Sequence, residues 1–341
     1  MASLLRSTAP ALFKPSSLRA ALRPCSAAQL PRYYSSAFRP TIQRFQAEKT
    51  PDQLVTDFKT TENAPESDET DAIGPTKNLF SLEGKTVVIT GGGRGLGLTL
   101  AGAVIEAGGH AACLDVLEEP TATDWPILQK LAKRSGVTLT YNRCDITSEE
   151  QVSGLYEEIS NHGKAHNAPL AGLVACAGIQ QKQMAVDYPI EDFKKMMDVN
   201  VTGAFITAKH AARHFINDGT KGSIVLIASM SGQIANRGLY CSAYNTSKAA
   251  VHQMCRSMAQ EIGSHGIRIN TLSPGYIRTA MTDGLLKVDP DLKKTWMAGA
   301  LLGRLGAPED FKAPAVFLLA NGSDWVTGSD LRVDGGHCAS A

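Results

Sequence analysis

Tyr244 and Lys248 have the types and the spacing of a proton-transfer pair. They stand four residues apart at the start of a predicted helix, Ala243–Ile262, so both side chains lie on one face of it. A free phenol, with a pKa of about 10, is a weak base at neutral pH, but a neighbouring ammonium stabilises the phenolate. The pair can therefore exchange a proton with an alcohol or a ketone. Because Tyr-x3-Lys also arises by chance, its meaning depends on the rest of the chain.

A glycine-rich turn has the form of a loop that binds a pyrophosphate. It follows the apolar segment Thr86–Thr90 and opens a predicted helix, Gly95–Ala107. Glycine lets the main chain approach a phosphate closely, and the positive end of the helix attracts the phosphate. A strand, a glycine turn and a helix in this order predict a dinucleotide site. The predicted loop residues are Gly91, Arg94, Gly95, Leu96 and Gly97.

Two acidic residues follow the next predicted strands. A carboxylate at Asp115 accepts hydrogen bonds from the adenosine ribose and repels a 2′-phosphate, which favours NAD as the cofactor and leaves NADP possible. Arg94 argues the other way, since a guanidinium pairs with phosphate; alternatively it is a surface residue that covers the adenine side. Asp145 is predicted either to bind the adenine amino group or to cap a helix.

Strand-like and helix-like segments alternate from residue 85 onward. The predicted strands are Thr86–Thr90, Ala111–Asp115, Thr138–Cys144, Leu173–Ala177, Ser223–Ser229, Arg268–Ser273 and Asp330–Val333. The predicted helices include Gly95–Ala107, Glu149–Ile159, Glu191–Phe215 and Ala243–Ile262. This alternation predicts an α/β fold for residues 80–341, a single Rossmann-type doubly wound parallel sheet with helices on both faces.

Together these motifs resemble the short-chain dehydrogenase/reductase family over residues 80–337. The residues that carry the resemblance are Thr90-Gly91-x3-Gly95-x-Gly97, Asn200, Ser229, Tyr244-x3-Lys248 and Ser273-Pro274-Gly275. The resemblance implies an NAD(P)-dependent alcohol/ketone oxidoreductase with Tyr244 as its acid/base. It further implies that Lys248 lowers the pKa of that tyrosine and holds the nicotinamide ribose, while Asn200 anchors a water-based proton relay. Ile277 and Thr279 are implied to hold the nicotinamide amide.

Either of two serines could orient the substrate oxygen. The family pattern Ser-x-x-Gly selects Ser229, whereas counting thirteen residues back from Tyr244 selects Ser231. We favour Ser229, because the last residue of a predicted strand is a rigid platform. The other serine is expected to bond to local backbone. Cys176 stands where the family usually has asparagine, and since a thiol is a weak donor, no polar role is expected of it.

The sequence around Ser229 and Tyr244 is similar to the fungal polyol and ketose branch of that family, namely sorbose reductase, mannitol dehydrogenase and D-arabinitol 2-dehydrogenase. The specific prediction is oxidation of a polyol such as D-arabinitol to its ketose. Gln180, Gln181 and Gln183 are amides suited to a hydroxylated substrate, and an apolar lid is expected within Ala280–Arg304.

Two other functions compete with this prediction. A mitochondrial 3-oxoacyl thioester reductase would want NADPH and a basic patch, which Asp115 and a net charge of +1 disfavour. A non-catalytic Rossmann scaffold subunit of a mitochondrial complex would have no need of the serine, tyrosine, lysine and asparagine together.

Composition predicts which partners the protein has. The balanced charge argues against nucleic acid, and no apolar run reaches the roughly 20 residues that a bilayer span needs. The eight histidines and seven scattered cysteines lack metal-ligand spacing, so no metal is expected and the thiols are predicted to be reduced. The expected partners are a small-molecule alcohol or ketone and, from the resemblance, further copies of the chain in a homotetramer or homodimer.

The first eighty residues differ in composition from the remainder. Residues 1–47 hold seven Lys or Arg and no Asp or Glu, which is typical of a mitochondrial transit peptide. We predict a transit peptide over residues 1–34, a flexible acidic linker over 35–79, and location in the mitochondrial matrix. A basic tail with no targeting role is the alternative.

Overall fold

The computed structural model describes residues 76–288 and 291–340 of the chain. The predicted transit peptide and residues 35–75 of the predicted linker lie outside the described residues, so both stay predictions. The described chain begins with a 3-10 turn, Thr76–Phe80. Its Phe80 ring lies 6.3 Å from the ring of Phe317. Residues 76–79, assigned to the linker from sequence, therefore belong to a folded turn.

A seven-stranded parallel sheet forms the centre of the described chain, in the order β3-β2-β1-β4-β5-β6-β7. The strands are β1 Thr86–Thr90, β2 His110–Asp115, β3 Leu139–Arg143, β4 Leu170–Ala175, β5 Ser223–Ile227, β6 Arg268–Pro274 and β7 Asp330–Val333. The strand order reverses between β1 and β4, and ligands of such sheets bind beyond the carboxyl ends of the strands at this point. The predicted Rossmann-type α/β fold is confirmed.

Helices cover both faces of the sheet because its central strands are apolar on both sides. They are α1 Gly95–Glu106, α2 Trp125–Ser135, α3 Glu149–Ala165, α4 Ile190–Met197, α5 Ala204–Asp218, α6 Ser242–Ile262, α7 Ala280–Val288, α8 Asp291–Gly299 and α9 Lys312–Leu319. One core packs α3, α5 and α6 on the sheet, with Tyr156 and Phe215 fully buried. The other packs α1, α2 and α9 on the opposite face, around Leu100 and Leu318.

The predicted helix Glu191–Phe215 is wrong as one continuous α-helix. A π-helical segment, Asp198–Gly203, separates α4 from α5. Within it, the amide of Asn200 hydrogen-bonds to both backbone groups of Ile179, at 2.8 and 2.9 Å. Single π turns inserted into helices often occur at functional sites. The wider turn lets a buried amide reach the loop after β4, which a hydrophobic pattern does not reveal.

Three predicted strands end earlier than expected, the third of them by one residue, at Arg143. The fourth covers Leu170–Ala175, not Leu173–Ala177, because the N–H groups of Cys176 and Ala177 donate to the Thr90 hydroxyl instead of the sheet. The fifth ends at Ile227, so Ser229 lies two residues beyond the strand. Within the described residues, no helix is long and apolar enough to cross a membrane.

Candidate active site

The predicted proton-transfer residues meet at the carboxyl end of the sheet. Ser229 follows β5, and Tyr244 and Lys248 occupy the first two turns of α6. The Lys248 Nζ donates to the carbonyl oxygen of Ile227 at 2.8 Å and lies 5.7 Å from the centroid of the Tyr244 ring. Only 5% of Lys248 is exposed. The helix spacing thus brings an ammonium beside a phenol, as the sequence predicts.

Burial moves the pKa values of these two groups in opposite directions. It raises the pKa of Tyr244 to about 12, and a hydrogen bond from the Ser229 hydroxyl opposes this rise. It lowers the pKa of Lys248 to about 8. At neutral pH the phenol is therefore protonated and the lysine carries its charge. In this state Tyr244 can donate a proton to a carbonyl oxygen, and the lysine charge favours the phenolate that alcohol oxidation requires.

The two candidate serines differ in what they contact, although each is 7% exposed. Ser229 hydrogen-bonds to the Tyr244 side chain and accepts from the Ser231 N–H at 3.1 Å. Ser231 lies in the 3-10 turn Met230–Gly232. The Ser229 hydroxyl is therefore beside the phenol, and we propose it as the group that orients the substrate oxygen.

Replacing Ser229 with alanine should lower kcat/KM by about 10²-fold, the scale of one donor lost at a developing charge. Ser231→Ala is the matched control, equally buried and two residues away. We expect that control to stay within about twofold of the wild type, because alanine keeps the Ser231 N–H that donates to Ser229. Initial rates of both variants check the assignment. A loss confined to Ser231→Ala would transfer the role to Ser231.

Asn200 is joined to the helix of the proton-transfer pair. Its Nδ2 donates to the Ser247 hydroxyl at 3.0 Å, and that hydroxyl donates to the Tyr244 carbonyl at 2.7 Å. A Cβ atom added at Gly178 would lie 3.2 Å from Asn200 Oδ1 and 3.7 Å from Lys248 Nζ. Asn200 and Lys248 therefore meet beside the same glycine. Sequence reasoning missed Ser247, although its place three residues after Tyr244 allows this backbone bond.

The glycine turn of β1–α1 fits a dinucleotide phosphate. Gly91 and Gly95 have φ values of +68° and +54°, and a Cβ atom at Gly97 would lie 2.1 Å from the Gly91 carbonyl oxygen. The turn is thus folded tightly on the helix start, while nothing lies within 4 Å of a Cβ at Gly95. Arg94 is the exposed N-cap and makes no side-chain cap, so the first N–H groups of α1 keep their capacity for an anion. Leu96, partly buried, lies in that first turn.

Asp115, which is predicted to bind the adenosine ribose, supports the glycine turn. It is 7% exposed, and its carboxylate accepts from the N–H groups of Gly93, at 3.0 Å, and Leu117, at 3.2 Å. A carboxylate has about four lone-pair positions. Two lone-pair positions of the Asp115 carboxylate are therefore left to accept from ribose hydroxyls. The loop-bracing role was not predicted.

Asp145 lies at an open cleft of about 400 Å³ beyond β2 and β3. Its Oδ1 accepts from the N–H and hydroxyl of Thr147, at 2.9 and 2.7 Å. The N-cap of α3 is Ser148, so the helix-cap alternative for Asp145 is wrong. Arg143 also lines the cleft and pairs with Glu118 at 2.6 Å. Binding of the adenine amino group by Asp145 stays a prediction.

The loop after β6 holds the two residues predicted to bind the nicotinamide amide. The Thr282 hydroxyl donates to the Ile277 carbonyl at 2.6 Å. The Thr279 hydroxyl accepts from the Thr282 N–H at 3.3 Å, at the start of α7. These bonds fix the loop beside the carboxyl end of β6, and the contact of Ile277 and Thr279 with the nicotinamide amide stays a prediction.

Comparison with known proteins decides the family. A protein-family model described as "Enoyl-(Acyl carrier protein) reductase" matches residues 91–337 of the chain. The chain is 43% identical over 265 residues to the short chain dehydrogenases/reductase notP' of Aspergillus versicolor, covering 76% of this chain and 89% of that protein. The chain belongs to the short-chain dehydrogenase/reductase family.

Other members of the family are similar along nearly their whole length. The D-arabinitol 2-dehydrogenase (ribulose-forming) of Candida tropicalis is 33% identical, over 76% of this chain and 94% of that protein. The solved structure of the NADPH-dependent 3-quinuclidinone reductase of Rhodotorula rubra is 33% identical, with a TM-score of 0.71, over 81% of this chain and all of that one. This short-chain dehydrogenase/reductase is thus related to enzymes of polyols and of ketones.

The cysteine in place of the usual family asparagine is partly buried and experiences the charge of Lys248. Burial raises the pKa of the Cys176 thiol to about 12, against the opposing charge of Lys248. The thiol is therefore neutral at physiological pH. Its backbone N–H donates to Thr90, which fixes the end of β4. Strand and loop are held by Thr90 and Asn200 without an amide at position 176.

Two of the amides expected to meet a hydroxylated substrate are already paired within this short-chain dehydrogenase/reductase. Gln181 donates to the Asp192 carboxylate at 3.0 Å. Gln183 donates to the Asp187 carbonyl at 3.2 Å, and its N–H bonds to Tyr240. Each amide keeps a second N–H, so contact of Gln181 and Gln183 with the substrate stays a prediction. Gln180 stays a prediction.

The lid predicted over Ala280–Arg304 contains α7 and α8. Trp296 of α8 is 1% exposed and belongs to a buried cluster with Leu239, Cys241 and Leu292. Tyr244 and Tyr276 pack against that cluster. An apolar wall therefore stands beside the phenol. Within the described residues, no group of three or more His, Cys, Asp or Glu is placed to hold a metal ion.

Proposed function

We propose that this oxidoreductase oxidises a polyol such as D-arabinitol to its ketose, with NAD as the cofactor. The observation that carries the chemistry is the contact of Tyr244 with both Ser229 and Lys248. The similarity to a ribulose-forming D-arabinitol 2-dehydrogenase supports the substrate class. A buried acid/base pair together with a glycine turn suits hydride chemistry. A non-catalytic scaffold subunit would have no need of such a pair.

Each residue has a separate part in the proposed reaction. NAD, when bound, supplies the acceptor for the hydride that leaves the alcohol carbon. Tyr244 takes the proton of the alcohol oxygen, and Ser229 donates a hydrogen bond to that oxygen as it becomes a carbonyl. Lys248 stabilises the phenolate form of Tyr244 before the transfer. Asn200 holds the loop after β4 beside Lys248. We expect the proton that Tyr244 has taken to leave through water at this point.

The cofactor is held by three regions in this proposal. Gly91, Gly95 and Gly97 with the N–H groups of α1 receive the pyrophosphate, and Asp115 receives the adenosine ribose. Lys248 and the loop that carries Ile277 and Thr279 lie at the nicotinamide end. NAD rather than NADP is proposed because Asp115 carries a negative charge where a 2′-phosphate would have to bind. NADPH dependence of the quinuclidinone reductase makes this a point to test.

Changing Asp115 to asparagine should reverse part of the cofactor preference. The amide keeps one acceptor for backbone N–H groups but removes the charge that repels a phosphate, so kcat/KM should fall about 10-fold with NAD and rise with NADP. Steady-state rates with both cofactors measure this. Glu119→Gln, an exposed neighbour, is the charge-matched control. An unchanged NAD/NADP ratio in Asp115→Asn would contradict the proposed role.

Substrate rates on the full chain test the function directly. NAD and NADP should each be combined with pentitols, hexitols and 3-hydroxyacyl thioesters, and the formation of NADH or NADPH should be followed. We expect the largest kcat/KM with a pentitol and NAD. Activity confined to the thioesters with NADP would instead support the thioester reductase. The description of the family model that matches this chain names an enoyl-(acyl carrier protein) reductase. Silence on every alcohol would reject both.

We further propose a mitochondrial matrix location and a homotetramer or homodimer. The acid-free composition of residues 1–47 supports the first, and a fluorescent fusion of that segment that stays in the cytosol would reject it. The exposed side chains of Phe205 and Ile216 on α5 support a face that pairs with another copy. Light scattering that gives the mass of a single chain would reject the second.

A further inference from the structure

A second tyrosine hydroxyl lies at the same end of the sheet as Tyr244. Tyr276 follows β6 by two residues, and its ring packs against the buried cluster that also contacts Tyr244. The two phenols therefore share one apolar wall formed by Leu239, Leu292 and Trp296. Tyr276 is only half-buried, so part of it faces open space.

The ring of Tyr276 is fixed from two sides. The Trp296 ring stacks on it, with centroids 4.2 Å apart and planes inclined by 10°. The His337 ring meets it edge-on at 5.0 Å. Aromatic contacts of this kind add to the energy of burial and restrict the ring to one orientation. The hydroxyl of Tyr276 is thus held at a defined position.

A buried amide orients this hydroxyl. Asn236, 8% exposed, donates from Nδ2 to the Tyr276 oxygen at 2.9 Å. The Cys241 thiol lies 3.7 Å from the Asn236 Oδ1, on the other side of the amide. Burial raises the pKa of Tyr276 to about 12, so the phenol keeps its proton at physiological pH. Because its oxygen accepts from Asn236, the phenol has its own proton to give to another acceptor.

Each of the two rings that contact Tyr276 holds a polar atom that is buried without a partner among the described residues. Trp296 Nε1 and His337 Nδ1 make no hydrogen bond to any of the described residues. Such groups are rare in folded proteins and call for an explanation. Both atoms are sealed from solvent, so a ligand bound outside the cluster does not reach them.

We propose that Tyr276, positioned by Asn236, is a specificity-determining residue that donates a hydrogen bond to a second hydroxyl of the substrate. The inference rests on the proposed function and deepens it. The hydroxyl would stand on a carbon near the reacting one, so polyols and ketoses bind better than alcohols with a single oxygen. A site that hydrogen-bonds a substrate hydroxyl rejects the analogue that lacks it, because its own polar group is then left unpaired.

Two alcohols of equal carbon number test the inference on the full chain, D-arabinitol and 2-pentanol. Tyr276→Phe should lower kcat/KM for D-arabinitol about 10-fold, mainly through KM, and leave 2-pentanol unchanged. Asn236→Ala should shift selectivity in the same direction, and the double variant should lose little more than Tyr276→Phe alone. Tyr240→Phe, with an exposed ring, is the matched control.

The outcomes separate this inference from the proposed function. An equal loss with both alcohols, or no loss with D-arabinitol, overturns the role of Tyr276 while the wild-type activity keeps the function. A wild type that oxidises 2-pentanol, yet neither oxidises polyols nor is inhibited by them, overturns both. A loss restricted to the polyol, with the double variant matching the single one, supports the inference.

Discussion

Replacing Tyr244 with phenylalanine should lower kcat for alcohol oxidation by about 10²–10⁴-fold, the contribution typical of one acid/base group. The change removes one oxygen and keeps the ring that packs against the Leu239, Leu292 and Trp296 wall. The glycine turn and Asp115 are separate from this ring in the chain and stay intact. We therefore expect cofactor affinity, measured by fluorescence titration with NADH, to stay within about twofold of the wild type.

Tyr240→Phe is the control for this prediction. It makes the same change four residues away, at a side chain that is 57% exposed. Tyr244→Phe should be slower than Tyr240→Phe both in oxidising the best alcohol and in reducing its ketone. The reason is that the Tyr244 oxygen takes the proton in one direction and gives it in the other. If Tyr244→Phe kept a third or more of wild-type kcat, another group would have to carry the proton.

Patterns that depend on neighbours in sequence were predicted well. The strand Thr86–Thr90 was predicted with its observed bounds, because an unbroken apolar run next to a glycine turn has few other structures. The strand Asp330–Val333 also matches. The i, i+4 relation of Tyr244 and Lys248 depends only on helix geometry, which the tertiary structure does not alter. These local signals were enough to predict the sheet and the proton-transfer pair.

Features that depend on distant contacts were missed. The π segment at Asn200 follows from bonds to Ile179, twenty-one residues away in the chain. The end of β4 follows from the Thr90 hydroxyl, which lies in another strand. The hydrogen bonds from Gln181 to Asp192 and from Gln183 to the Asp187 carbonyl likewise depend on how the loop after β4 folds. Tyr276 and Asn236, forty residues apart, share no pattern that sequence spacing detects.

Lys248→Met should lower kcat/KM for alcohol oxidation by about 10²-fold at pH 7, as a lost electrostatic partner typically does. The methionine fills similar volume but removes the charge that favours the Tyr244 phenolate, so less phenolate forms at any given pH. Ketone reduction uses the protonated phenol and should lose less. The ratio of the two rates therefore separates loss of charge from general damage to the site.

The pH dependence of kcat/KM gives this prediction its sharpest form. In the wild type, oxidation should rise with pH as phenolate forms, then rise less steeply above pH 8, where Lys248, with a pKa of about 8, loses its charge. The pH dependence of kcat/KM reports the pKa values of groups in the free enzyme. The bend can therefore be compared directly with the pKa of Lys248 in the site described above. In Lys248→Met the bend should disappear, and the rise should continue to higher pH.

Lys133→Met, an exposed change on α2, should leave the wild-type profile unaltered. Lys248→Arg is informative in the same experiment, because a guanidinium stays charged at every pH measured. It should remove the bend as methionine does while keeping more of the oxidation rate, provided that the larger group fits beside Ile227. A bend near pH 8 that persists in Lys248→Met would assign it to another group and would separate the proton chemistry of Tyr244 from the lysine charge.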